Sequence, residues 1–468
     1  MDIEKSRAEA LYRINQAQLL ALLEAGLMEK SLALRIAEAL RNIRQEQTHC
    51  YTDYLELEDE LIRKIGKEAS NLHLGRSRND IGATTERILI RSALLDLLKD
   101  LSLLRNSILV KAEEELNTVI PAYTHGRLAQ PTTMGHYLLA LADSLARDMD
   151  RFRHAFSVIN QSPLGAGALT TSGFRLNRGL LATALAFEGV VENSYDAVSI
   201  GPGDSKAETA GAIIVSSLTL SRLIQDLILY SMEEIGFLIL SNRKRGGSSI
   251  MPQKRNPGFL ELARSTLASI LGKCWSVFAD LHNTHLQDTK DVRGAAMVHV
   301  VQATESLQDV FSVIAEGVSG ISVDSSRGLE LARANFSTAT ELADALVRYS
   351  GIDFRSAHGI SSAAADWLRT NQKQPEDLDP EILGDLAETI TGRKITLSRD
   401  QLRNALSPEH FVEIRDNLGG PAEKAVRPMI RSRKEQLQHD KAWIGDREKR
   451  VFSALKDLDR AVLSGAQL

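Results

Sequence analysis

Cysteine is nearly absent: Cys50 and Cys274 are the only two in 468 residues. Two thiols make neither a disulfide framework nor a multi-cysteine zinc site, and a reducing cytoplasm is the expected setting. Proline is scarce and uneven, with none before Pro121 and none between Pro257 and Pro375; because proline breaks helix interiors, such gaps permit long helices. Aromatic residues make up only 5% of the chain, and alternating Val/Ile/Thr/aromatic runs bounded by Asn-Gly or Asp-Gly, the marks of strands, are missing. There is no charge excess either. Lys+Arg 56 against Asp+Glu 61 leaves −5, which argues against a nucleic-acid or membrane-surface binder. The most apolar charge-free run, residues 209–221, is too short to span a bilayer, and the opening residues lack the apolar stretch of a signal peptide. Nor is there a Gly-x-Gly-x-x-Gly, a Gly-x-x-x-x-Gly-Lys-Ser/Thr, a His-Glu-x-x-His or a Gly-x-Ser-x-Gly, so no nucleotide, metal or haem cofactor is expected.

What is present is a globular balance, 43% apolar and 25% charged, on a chain long enough for a large core and roughly two to four domains. Apolar residues recur at helical spacing: Leu19, Leu20, Leu22, Leu23 and Leu27, then Leu89, Leu94, Leu97 and Leu98. Residues 208–237 extend the pattern furthest, through Ile213, Ile214, Leu218, Leu220, Leu223, Ile224, Leu227 and Ile228, which predicts a helix of about eight turns. Its apolar positions occupy more than one face, as in a helix buried among others. Residues 156–174 are also uncharged but contain Asn160, Gln161, Pro163 and three glycines, and are expected to form a loop. The predicted fold class is mainly α, in three helical regions: an N-terminal region over 1–95, a central bundle of long helices over 96–345, and shorter helices over 346–468, where prolines recur.

Polar chemistry gathers in three stretches. Residues 73–80 read His-Leu-Gly-Arg-Ser-Arg-Asn-Asp, ahead of a helical run from Ile88. N–H groups and the helix dipole at such a start favour anions, and arginine suits carboxylates; an ordinary helix start capped by Asn79 or Asp80 has the same composition. In residues 123–131, His125 follows Thr124 and precedes Pro131. It is a candidate general acid or base, although one histidine among eleven is as readily structural. Residues 246–257 read Gly-Gly-Ser-Ser-Ile-Met-Pro-Gln-Lys-Arg-Asn-Pro, between the long apolar helix and another over 259–275. Glycines let a backbone approach a ligand, and this loop can offer serine hydroxyls and N–H groups to an anion, with Lys254 neutralising charge. The alternative is a solvated connector, which rarely concentrates so many special residues.

Residues 247–257, GSSIMPQKRNP, resemble the signature loop of the fumarase/aspartase superfamily, whose members eliminate fumarate from succinyl substrates. HLGRSRND, YTHGRLAQP, PLGAGALTTSGF, NSYDAVS, the Leu-Gln-Asp-Thr-Lys of 286–290, NFSTATELADALVR and NLGGPAEKAV resemble, in the same order, stretches of the argininosuccinate lyase family, and DIEKSRAEAL resembles its opening. The resemblance covers residues 2 to about 430. It implies a homotetramer whose long helices form a twenty-helix core, with each active site shared by three subunits. It also implies a small-molecule substrate and cofactor-free β-elimination, argininosuccinate giving arginine and fumarate. Carried over residue by residue, it makes Ser248 the catalytic serine, Lys254 and Asn256 the residues on the carboxylate that gains charge, His125 the family histidine and Glu261 its charge partner. Ser77, Arg78, Asn79, Thr124, Ser249, Gln287 and Lys290 match substrate-binding positions, and Ser6 matches one more loosely. A related lyase acting on another succinyl-amine, and a non-catalytic crystallin-like structural protein, are the competing readings.

Several positions depart from the family pattern. Gly126, Arg127 and Leu128 stand where Leu-Gln-Arg is usual, residues 199–205 replace its Ser-Asp-Arg-Asp-Phe, His282 stands in place of a tyrosine that helps hold the arginine part, and Leu74 replaces a threonine. The succinyl-handling set is intact, whereas the altered positions are expected on the side of the leaving amine, where lost hydrogen-bond partners change discrimination.

Overall fold

The computed structural model describes residues 2–46, 50–241, 246–247 (backbone only) and 250–464. The N-terminal helices are α1 (Ile3–Glu24), α2 (Lys30–Glu46) and α3 (Tyr54–Ile65). The centre is built on α4 (Arg78–Glu114), a hairpin of β1 (Val119–Thr124) and β2 (Arg127–Thr133), α5 (Met134–Ile159), the short α6 (Arg178–Ala184), α7 (Gly201–Tyr230), α8 (Gly258–Leu281) and α9 (Ala296–Gly320). Short helices follow, α10 (Ser325–Arg333), α11 (Ala339–Ser350), α12 (Phe354–Thr370), α13 (Pro380–Thr391), α14 (Arg399–Leu406) and α15 (Pro408–Glu413), before the long α16 (Glu423–Ser464).

Helices α4, α5, α7, α8 and α9 form a five-helix bundle around one core, in which Leu94, Leu98, Leu101, Phe152, Phe156, Ile213, Leu220, Ile270, Val300 and Phe311 are buried. As the sequence pattern predicts, α7 is apolar on several sides, and Ala210, Ile213, Leu220, Ile224 and Leu227 are all buried. With the π-turn before it, over Asp196–Ile200, this helix is also long and apolar enough to cross a membrane by length and composition. Here its inward face packs against α5, α8 and α9. It begins earlier than expected and stops at Tyr230, where the chain turns back through Gly236 at φ 66° so that Leu238–Ile239 pairs with Ser322–Val323. A second core joins α1–α3 and α6 to the last turns of α16, through Leu458, Ala461 and Val462. A third lies within residues 336–406.

Helix α4 runs through residue 95 without a break, and α16 returns from the C-terminal region to pack along α4 and α5. Its Asp440 is buried and takes Arg105 of α4 at 2.6 Å and Arg153 of α5 at 3.0 Å. Arg105 is wholly enclosed, so that carboxylate offsets a charge with no access to water.

The hairpin is the one regular strand pair of any length among the described residues, and sequence signals missed it. Its turn is His125-Gly126, with φ 52° and 68°, between the paired residues Thr124 and Arg127. A two-residue turn that follows strand twist needs positive φ at both positions; here histidine and glycine supply them instead of the Asn-Gly or Asp-Gly that marks such turns.

Candidate active site

The expected site residues fall into two groups, at opposite ends of the bundle. The first is built on the start of α4. Ser77, not Asn79 or Asp80, is the N-cap: its Oγ accepts from the Asn79 N–H at 3.3 Å, and Asp80 returns a bond by accepting the Ser77 N–H at 2.8 Å. This reciprocal box frees Arg78 and Asn79 to sit in the first turn with their side chains outward, Arg78 exposed and 3.8 Å from Asp53. Asp80 is itself buried, and its other oxygen accepts the N–H groups of Gly165 and Gly167 at 2.9 and 3.0 Å. Both glycines have positive φ, a backbone shape that turns two N–H groups towards one carboxylate. Burial raises the Asp80 pKa, and the N–H donors together with the Arg76 charge pull it back.

The segment carrying Gln287 and Lys290 docks on the same turn. Arg293 donates to the carbonyls of Arg78 and Asn79 at 3.2 and 3.3 Å, and Tyr195 donates to the Leu286 carbonyl at 2.8 Å. The Gly294 N–H donates to Glu86 at 3.1 Å, Glu86 is ion-paired with the buried Lys206 at 2.6 Å, and Lys206 donates to the Val292 carbonyl at 2.8 Å. Gln287 and Lys290 themselves remain exposed. One chain thus brings Ser77, Arg78, Asn79, Gln287 and Lys290 to one end.

Ser6 does not join them. It lines a cavity together with Ile88, Leu89 and Ser92, residues about 13 Å or more along α4 from Asn79 at 1.5 Å per residue. The α1 residues that reach the turn are Asn15, which accepts from Arg76, and Gln18, which donates to the Leu74 carbonyl at 2.8 Å. Both are fully buried. Sequence reading passed over them, and two amides on an otherwise apolar helical stretch were the available signal. Beneath them His73 stacks on Tyr54 at 4.5 Å, with the Arg76 guanidinium 4.6 Å from the same ring. Burial, with the Arg76 and Arg78 charges, depresses the His73 pKa to about 4.

The second group lies at the far end of α4. Its 37 residues at about 1.5 Å each separate the two ends by about 55 Å. Thr124 and His125 are exposed at the hairpin, which is held by Tyr123 stacking on Tyr230 and by Gln130 donating to Thr340 at 3.1 Å. The signature loop is at this end as well, since Gly246–Gly247 pairs antiparallel with Arg255–Asn256 and α8 starts beside Gly317 at the end of α9. Lys254 and Glu261 are exposed, and Asn256 is partly so. Ser248 and Ser249 lie outside the described residues. His125 and Glu261 form no ion pair within one chain among the described residues.

The departures separate in the same way. Gly126 and Arg127 are at the hairpin, where a positive φ of 68° accounts for the glycine. Gly203 and His282 line a cavity of about 420 Å³ at the other end, with Ser199, Asp204, His285 and Leu286.

Residues 11–272 match the lyase family model, and residues 336–413 match the argininosuccinate lyase C-terminal family. The argininosuccinate lyase of Methanothermobacter thermautotrophicus is 34% identical over 443 residues, 92% of this chain and 93% of that protein. Argininosuccinate lyase 2 of Agrobacterium fabrum is 36% identical over 425 residues, 89% and 84% of the two chains. This chain belongs to the argininosuccinate lyase family. Among solved structures, EDDS lyase in complex with formate superposes with a TM-score of 0.91 at 30% identity, covering 99% of this chain and 93% of that one. A class II fumarase from Schistosoma mansoni shares the fold, with a TM-score of 0.71 at 18% identity over 87% of this chain and 90% of that one. Family membership makes the protein a carbon–nitrogen lyase of the kind that releases fumarate.

Proposed function

We propose that the protein catalyses cofactor-free β-elimination of fumarate from an N-substituted aspartate, with argininosuccinate as substrate and arginine as the second product. The observation that carries this reading is the presence of Thr124, His125, Lys254, Asn256, Ser77, Arg78, Asn79, Gln287 and Lys290 in a chain 34% identical to an argininosuccinate lyase over 92% of its length. Ser248 takes the proton from the carbon next to the carboxylate. Lys254 and Asn256 hold the carboxylate as it gains charge, the C–N bond breaks as the C=C bond forms, and His125, with Glu261 as charge partner, delivers a proton to the departing nitrogen. Ser77, Arg78, Asn79, Thr124, Ser249, Gln287 and Lys290 bind the rest of the substrate. Ser6 stands apart from that set, while the buried Asn15 and Gln18 hold the turn from beneath through Arg76 and the Leu74 carbonyl.

The two groups of residues, about 55 Å apart in one chain, act together only if different chains supply them. We therefore read the active form as a homotetramer of 222 symmetry, with α7 and α8 in a shared twenty-helix core. In support, Leu262 and Trp275 on α8 are 69% and 64% exposed in the single chain, and Leu218 on α7 is 50% exposed. Large apolar side chains exposed along these helices are the kind of surface a partner chain would cover. A cytoplasmic setting suits a small-molecule enzyme with two unpaired thiols.

A second reading concerns the amine. Gly203 and His282 share one cavity beside Leu286, and the EDDS lyase neighbour is named for a substrate other than argininosuccinate. The absorbance of released fumarate, followed over a panel of N-substituted aspartates, decides between the two. On the first reading, kcat/KM for argininosuccinate reaches about 10⁴ M⁻¹s⁻¹ or more. A far lower value, with fumarate released efficiently from another member of the panel, contradicts arginine as the amine, and no fumarate from any member contradicts the lyase reading itself.

A further inference from the structure

Arg293 lies at a break in the chain. Its backbone is extended, φ −104° and ψ 168°, and the next residue, Gly294, is at φ 79° and ψ −93°, so the segment carrying Gln287 and Lys290 ends in a sharp corner before α9 begins. From that corner the guanidinium uses its fork in two directions. Towards its own segment, Nη2 donates to Asp288 Oδ2 at 3.0 Å, and Nε lies 2.6 Å from Oδ1 as a charge contact rather than an aligned hydrogen bond. Towards α4, Nη1 donates to the carbonyls of Arg78 and Asn79. The space it occupies exists because residue 82 is glycine: a Cβ there would lie 2.5 Å from Nη1. A planar group with five donors can bridge a carboxylate and two carbonyls at once, which an ammonium cannot do in the same geometry.

We propose that Arg293 is a positioning residue that locks the Gln287–Lys290 segment to the Ser77–Asn79 turn, so that one chain delivers both to the substrate as a single rigid unit. The role rests on the reading of Gln287, Lys290 and Asn79 as substrate-binding residues. None of the Arg293 bonds reaches a reacting atom, so its effect is on where the binding groups stand. Binding groups held out of place weaken the substrate complex, and a misplacement of about 1 Å is enough to cost up to about 100-fold. If the misplaced groups hold the part of the substrate that does not react, the loss falls on KM more than on kcat.

Two variants reach the lock from opposite sides. Arg293→Ala removes it. Gly82→Ala leaves every charge in place and favours the helix, since alanine is the better helix former, but its Cβ displaces the guanidinium. The account predicts a KM raised about 10-fold or more in both, kcat changed less than about 3-fold, and no loss of thermal midpoint in Gly82→Ala. The double variant should match Arg293→Ala alone, because the two act on one contact. Arg293→Lys, which keeps charge but not the fork, should not restore KM. Amide hydrogen exchange over residues 286–291 of the unliganded tetramer supplies a readout that needs no turnover, and it should quicken in both single variants. Unchanged exchange in Arg293→Ala overturns the lock even if the protein proves to act on no N-substituted aspartate. Quicker exchange with an unchanged KM overturns the positioning role. A wild-type protein that releases no fumarate instead counts against the lyase reading.

Discussion

The two ends of the bundle differ in how much of their structure one chain supplies. At the start of α4, the turn of residues 73–80 is bonded on every side: to α1 through Asn15 and Gln18, to the glycine loop through Asp80, and to the Gln287–Lys290 segment through Arg293. At the other end, Thr124, His125, Lys254 and Glu261 are exposed, and the described residues give His125 and Lys254 no side-chain partner. The lesson is a division of labour. On the proposed roles, the first end is a finished binding surface, and the second carries reactive groups on a hairpin and a loop that another chain would complete.

The largest test of that contrast is Ser248→Ala. On the proposed role it lowers turnover by about 10²–10⁴-fold or more while leaving the fold and the assembly intact; near-native turnover on the true substrate would sink the assignment. At the bonded end the same kind of truncation should cost stability instead. Asp80→Ala leaves the N–H groups of Ser77, Gly165 and Gly167 without their acceptor, and each orphaned donor costs about 1–3 kcal/mol. A loss of about 3 kcal/mol or more in denaturant unfolding is expected, and a change under about 1 kcal/mol would show that the turn is not the fastener described.

The smallest effect is one of pH. The folded His73 titrates near 4, against an ordinary value of 6.5. Its neutral form is the one the fold accommodates, so its contribution is complete above about 6.5 and is lost as pH falls through the window towards 4. The thermal midpoint should fall between pH 6.5 and 5, above the range in which ordinary carboxylates titrate. His73→Asn should flatten that part of the profile, and an identical slope in the variant would remove His73 as its cause.

Much of this was legible in the sequence. Proline-free stretches and leucine spacing forecast the long helices, because those signals are local. The residues flanking α4 were harder to read. Its first turns are polar, so the apolar pattern pointed to a start near Ile88, while the capping box starts the helix at Arg78. Ser6 resembled a family serine by local sequence, yet packing places Asn15 and Gln18 at the turn. The hairpin escaped notice because His125-Gly126 is an uncommon pair for its turn, and α16 because its exposed faces are charged and its partners are hundreds of residues away. The resemblance implied that Asn79 and His125 meet only across chains, but their separation within one chain, at opposite ends of α4, could not be read from local sequence signals.

That separation is also the most direct place to test the account. Asn79→Ala disables one end of each chain and Ser248→Ala the other, and each variant alone should be nearly inactive. If sites combine ends from different chains, tetramers mixed from the two will contain some sites with both ends intact. Fumarate release should then reappear after subunit exchange, to about a quarter of the wild-type rate or less, as random mixing of two defects allows. Proven exchange of subunits with no recovery of activity would contradict shared sites.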